Sequence, residues 1–379
     1  GEPYRLLFPT GALLAILGAA LWPLHAWGML AAYPAMPHAR IMAEGFLGAF
    51  AMGFLGTAVP RLIGAPGLTA VEATSMAALL IAAAILHVAG LTLPGDQVFL
   101  LALLSLVASL GARAFVRKDL PPPSFALAGM GLLSAFAGVA LFLFGPLADL
   151  PPWHDALARL LLYQGFFLLP IMGVGAFLIP RFFNLPNRQD FPESLAPPKG
   201  WTPASAWAFA CGIAMLLTFI AEALGHRVPA NLARLAIAGG FLFTQLPIHR
   251  ARPQGTIARC AFAALILLLC AFPAVALAPE PKVAWAHVLF IGGFGLLTIA
   301  VATRVILGHG GASHLFPRRI RALLAFAILA ILALATRVSA DFLPDIRLSH
   351  LAYAAVAWIA GVVVWGWAIL PRVATTDEE

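Results

Sequence analysis

Histidines carry most of the chemistry open to this chain. Ten occur in 379 residues, and two of them share a setting. His38 stands seven residues before Gly45-Phe46, and His287 stands six residues before Gly293-Phe294. Imidazole nitrogen is a good donor to iron, copper and zinc. Two imidazoles facing each other across a helix bundle are what a six-coordinate haem requires at its axial positions. The sequence has no C-x-x-C-H run, so a haem held here is expected to be b-type. Arg40, Arg159 and Arg347 fall at the same level, and a guanidinium fork suits haem carboxylates. Met36 and Met42 flank His38; thioether sulfur is a copper ligand, although Met more often fills gaps in a core. His350, His154 and His87 are further candidates, for a copper ion or a second haem. His226, His249 and His314 read as interfacial residues at helix ends.

The elements that must hold these residues are membrane helices. The chain is 62% apolar and only 10% charged, with a mean hydropathy of +0.94. A soluble domain is about 45–50% apolar and about 25% charged. These values exclude a soluble enzyme, a disordered chain and a nucleic-acid binder. The net charge of +7 has a simpler source, because excess Arg marks the cytoplasmic loops of a membrane protein. The three cysteines, Cys211, Cys260 and Cys270, form neither an even set nor a zinc spacing.

A spanning helix needs about 20 mostly apolar residues. Runs of that kind lie near 8–30, 39–60, 69–92, 97–116, 125–147, 155–180, 203–224, 230–249, 256–277, 283–307, 320–338 and 347–370. The third and fourth are joined by a tight turn at Pro94-Gly95-Asp96, and residues 181–202 form a long polar connector. Alternating helices place 16 of the 23 Lys and Arg on the side of the N-terminus, which predicts that both termini are cytoplasmic. His38, His287, His87, His154 and His350 then all lie toward the opposite, outer side.

The second helix reads GFLGAFAMGFLGTAVPR from Gly45, and the sixth reads GFFLLPIMGVGAFLIPR from Gly165. Gly53 matches Gly173, Pro60 matches Pro180 and Arg61 matches Arg181. The tenth helix opens in the same way at Gly293-Phe294 but ends at Gly308-His309. The spacing predicts an all-α membrane protein of twelve transmembrane helices built as three four-helix repeats. The repeats fall at about 8–118, 125–252 and 256–372 within a single integral membrane domain, 1–379. Repeat junctions are favoured places for sites in membrane proteins.

Two stretches resemble the NnrS family: HARIMAEGFLGAFAMGFLGTAVPRLIG (38–64) and WAHVLFIGGFGLLTIAVATRVILGHGG (285–311). The pattern is carried by His38, Met42, Gly45-Phe46 and Gly53-Phe54-Leu55 through Pro60. It continues in His287, Thr303-Arg304 and Leu307-Gly308-His309-Gly310-Gly311. Many members have a second His two residues after the first, then Glu; this chain has Arg40 and Ile41 there. The resemblance implies a haem- and copper-containing protein of the bacterial inner membrane, linked to nitric oxide exposure in denitrifying and other bacteria. Three four-helix units with His on the second and tenth helices are also similar to the haem-copper oxidase catalytic subunit. In that superfamily these two helices supply the low-spin haem ligands, and the sixth helix supplies a copper ligand. Here the sixth helix has only His154 just before it, with Tyr163 and Gln164 inside. A complete oxygen- or NO-reducing binuclear centre is therefore not expected.

The expectation is a haem b protein, with copper as a second candidate cofactor and a site near the periplasmic face. His38 and His287 are the expected axial ligands. Its partners would be membrane lipid, nitric oxide or another small gas, and a redox partner. Binding, sensing or detoxifying nitric oxide, or moving electrons in that response, fits these residues; any turnover would make it an oxidoreductase acting on nitric oxide. The alternative is a transporter of a metal ion or small solute through the repeat interface, with Pro170 and Pro180 breaking the sixth helix.

Overall fold

The computed structural model describes residues 2–246 and 252–375, and among these every regular element is helical. The composition requires this. Lipid offers no hydrogen bonds, so a spanning backbone must satisfy itself within each segment. Twelve long helices follow in order: α1 Tyr4–Ala26, α2 Ala35–Leu62, α3 Ala70–Val88, α4 Thr92–Phe115, α5 Pro123–Phe144, α6 Trp153–Phe182. Then come α7 Trp201–Ala223, α8 Arg227–Gln245, α9 Gly255–Leu277, α10 Lys282–His309, α11 Arg321–Ser339 and α12 Pro344–Ala374. Eleven of them are long and apolar enough to cross a membrane. The remaining one, α8, carries Arg227, Asn231 and Arg234 and has one polar face. The end of the span expected at 230–249, with His249, lies outside the described residues.

One expected turn is displaced. Pro94, Gly95 and Asp96 belong to the opening turns of α4, and the chain reverses instead around Gly90, where φ is +79°. Proline is tolerated in the first turn of a helix because the N–H it lacks has no partner there anyway. The polar connector between α6 and α7 is pinned down. The Asp119 carboxylate accepts from the backbone N–H groups of Leu120 and Ser194, both at 2.7 Å, and Gln189 Oε1 accepts from Ser124 N–H at 2.9 Å.

The chain forms two compact units. The first contains Gly1–Pro3, Phe54–Leu79 and Leu93–Arg252; the second contains Tyr4–Gly53, Leu80–Thr92 and Pro253–Glu379. The second unit therefore holds α1, most of α2 and all of α9 to α12. Small residues set its packing, as is usual between membrane helices. A Cβ on Gly11 of α1 would come within 2.6 Å of the Phe50 ring of α2, and one on Gly45 within 3.0 Å of Leu14. The large exposed side chains of mid-helix positions, such as Leu101, Leu217 and Leu332, face outward because hydrocarbon, not water, is the solvent.

Among the described residues, three helices widen beyond α geometry, each at one place. The turns widen to π geometry at Ile41–Leu47 in α2, Leu161–Gly165 in α6 and Val288–Gly295 in α10. Each widened segment contains the glycine of its helix's Gly-Phe pair: Gly45, Gly165 and Gly293. Segments of this kind are rare and are often found at functional sites.

Candidate functional site

The opening of α2 is built on prolines. Pro34 and Pro37 restrict the backbone so that Ala35–Arg40 starts as a short helical run, and His38 sits in it. His38 Nδ1–H donates to the Gly18 carbonyl of α1 at 2.9 Å. α1 and α2 approach closely here, since a Cβ on Gly18 would lie 3.0 Å from Ile41 and from Met42. At the opening of α10, His287 Nδ1–H donates to the Val283 carbonyl at 2.7 Å. A carbonyl only accepts, so each Nδ1 carries the hydrogen and each Nε2 keeps its lone pair. This is the arrangement that orients imidazole as a metal ligand.

His154 and His350 have the same local bond, to Pro151 and Ile346 carbonyls at 2.8 and 3.1 Å. What singles out His38 and His287 is their relation to each other. The two imidazoles interact electrostatically, and both interact with Arg337. Both are surrounded by protein, yet both rings retain accessible surface.

Arg337 is a residue that the sequence reading missed. It ends α11 and is 7% exposed. Its Nη1 lies 3.2 Å from Asp341 Oδ2, but neither atom completes a hydrogen bond. Asp341 also meets Arg347 Nε at 3.3 Å, so the expected Arg347 joins Arg337 through a shared carboxylate. The available signal was an Arg within a membrane helix with Asp four residues later, a spacing that puts both on one helix face.

The other expected residues are placed differently. Arg40 is buried and directs Nε toward Glu44 Oε1 at 3.5 Å. Glu44 Oε2 in turn meets His87 Nε2 at 2.9 Å. His87 is thus engaged with a carboxylate, a pairing that sequence spacing alone does not show. Met42 packs near Gly18. Arg159 and His154 belong to the first unit, where Arg159 pairs with Asp155 four residues before it at 2.8 Å. His350 lies beside the exposed Tyr353, with ring centroids 6.3 Å apart. Arg304 places its guanidinium 4.2 Å from the centre of the Phe316 ring. His309 packs on the Tyr4 ring at 5.0 Å.

The first unit has its own buried charge. Arg234 of α8 is 1% exposed. Its Nη1 pairs with Glu222 Oε2 at 2.5 Å. Its Nε and Nη2 donate to the hydroxyl and carbonyl of Thr218 at 2.9 and 3.1 Å. The Phe219 ring lies 4.6 Å beneath the guanidinium. Every edge of this cation is engaged, as burial in an apolar interior demands.

The family profile described as NnrS protein matches residues 1–375. No individual curated protein matches the chain. The match takes in the openings of α2 and α10, where the two imidazoles stand, and it runs through all twelve helices. The chain is therefore a multi-pass membrane protein that belongs to the NnrS family.

Proposed function

We propose that this protein binds a haem b between His38 and His287 and serves the response to nitric oxide from that site. Membership of the NnrS family is consistent with a nitric oxide role. The observation that carries the haem reading is that His38 and His287, in the same compact unit, each have Nδ1 tied to a carbonyl, which leaves Nε2 as the donor. The donor set suits the group. The Nε2 lone pairs of His38 and His287 would be the donors to its iron. The buried guanidinium of Arg337, paired with Asp341 at 3.2 Å, supplies the positive charge that a haem carboxylate would meet. The proposal assigns haem alone and leaves copper out.

When bound, the haem supplies a one-electron couple. The residues of the chain do the rest. Gly18 and Val283 hold the imidazole planes through their carbonyls. Arg337 anchors a carboxylate, and Asp341 balances its charge. His38 and His287 would together hold the haem, and a gas ligand would have to compete with one of these imidazoles. Electron transfer is therefore the chemistry that this arrangement favours, in the inner membrane and with both termini cytoplasmic as the charge pattern directs.

The test is the absorption spectrum of detergent-purified protein, oxidised and dithionite-reduced, with iron and copper quantified. A Soret band with iron bound is the expected result. A colourless, metal-free protein, expressed with haem supplied, would overturn the proposal and favour the transporter.

The charges around the site give a second expected result. A cation near the metal favours the electron-rich state, and an anion opposes it. Arg337→Gln is expected to lower the midpoint potential, and Asp341→Asn to raise it. Each shift is expected to be on the order of 60 mV, a tenfold change in a one-electron equilibrium. Redox titration followed at the Soret band reads both. Shifts of the same sign would show that these charges do not act on the metal.

A further inference from the structure

We infer that Tyr33, Trp22 and His38 form the route by which an electron from a one-electron carrier enters the site. The inference rests on the haem reading above. Tyr33, between α1 and α2, is 56% exposed. Its ring meets Trp22 edge-on, with centroids 5.4 Å apart, and Trp22 meets the His38 ring edge-on at 5.7 Å. Three rings in contact thus run from the protein surface to an axial ligand.

Two further contacts fix the route. His25 packs against the other side of Tyr33 at 5.6 Å, and its Nδ1 is bonded to the Leu30 carbonyl at 2.9 Å. Arg337 interacts electrostatically with Tyr33 as it does with both imidazoles, so the phenol belongs to the same end of the unit as the site. Trp22 follows Gly18 by one turn of α1. The helix that orients His38 through a carbonyl therefore also lays an indole against its ring.

Aromatic residues at a membrane boundary are commonly anchors, and Trp27, 62% exposed, fits that role. Trp22 differs, since it is half-buried and touches both a surface phenol and a ligand ring. Electron transfer weakens steeply with the gap between orbitals, and touching π systems leave little gap. In the step itself the carrier is oxidised by one electron and the iron is reduced by one. No bond is formed or broken, and no proton moves.

The experiment is anaerobic stopped-flow reduction of the full-length purified protein by hexaammineruthenium(II), a charged outer-sphere donor, read at the Soret band. Trp22→Leu and Tyr33→Leu are expected to slow reduction about tenfold or more, equal to a barrier rise of about 1.4 kcal/mol. Trp22→Phe, which keeps a ring, is expected to restore most of the rate. The oxidised and reduced spectra and the midpoint potential should be unchanged throughout. A second measurement does not read the haem. Photogenerated tris(bipyridyl)ruthenium(III) takes one electron from the Trp22–Tyr33 pair, and Tyr33 gives its phenolic proton to water. The tyrosyl signal seen by electron paramagnetic resonance, above the background from the exposed Tyr353, should be lost in Tyr33→Phe and weaken in Trp22→Leu. Should Trp22→Leu fail to assemble, the exposed Tyr33 variants carry the test. Wild-type rates in both Leu variants would overturn the route, whereas a wild-type protein without a Soret band would overturn the haem reading beneath it.

Discussion

His38→Ala and His287→Ala are each expected to weaken the Soret band and shift it, with less iron retained per chain. In the proposed arrangement the two imidazoles hold one haem, so each variant would remove one of its two ligands. Loss of an outer-shell partner of a metal ligand already costs about 10–100-fold in affinity, and loss of the ligand itself should exceed the upper figure. The double variant is expected to be colourless. Each single variant also leaves a position open on the iron. Nitric oxide should then bind the reduced protein without first displacing an imidazole, which faster spectral change on mixing would reveal. His226→Ala and His314→Ala serve as controls and should keep the wild-type spectrum. If both site variants kept it as well, the iron would be held elsewhere, and the pairing of α2 with α10 would lose its meaning.

Glu222→Ala is expected to destabilise the protein by about 3–5 kcal/mol, the cost of removing one partner from a buried ion pair. Arg234 is 1% exposed, and without Glu222 its charge would be left with the neutral groups of Thr218 and the face of Phe219. The paired change Glu222→Leu with Arg234→Leu should cost far less, because apolar replacements of a whole buried pair are often neutral or stabilising. Thermal unfolding in detergent, measured on the single and double variants, separates the two outcomes. Equal losses in both would mean that packing, not charge, makes this cluster matter. The visible spectrum should be unaffected in every case, since the pair lies in the first unit and His38 and His287 lie in the second.

The helices were legible because a lipid-spanning segment advertises itself through twenty or so apolar residues. Most boundaries fall within a few residues of the runs, as for 203–224 against Trp201–Ala223. The turn before α4 was misplaced because Pro94 and Gly95 read as a reversal when they open a helix. The pairing of His38 with His287 was suggested by their spacing to Gly45 and Gly293, a local property. Arg337 was not singled out, because its value lies in which helices bring it near two imidazoles, and no spacing within α11 carries that. His87 was a candidate from the sequence, but its pairing with Glu44 joins positions 43 residues apart. Trp22 carried no signal for the same reason: its contact with His38 depends on how α1 packs against α2.

The widened turns in α2, α6 and α10 have a consequence for direction. A helix with a surplus residue behaves as two rods joined out of phase. Successive residues of a regular helix turn through about 100°, so one surplus residue slips the wheel by nearly that much. In α2 the slip falls between His38 and the Gly53–Pro60 stretch, and in α10 between His287 and Thr303. A single amphipathic stripe drawn along either helix would aim its imidazole at the wrong neighbour. The wide turn lets each helix keep one face for packing along its length and another for the ligand at its tip.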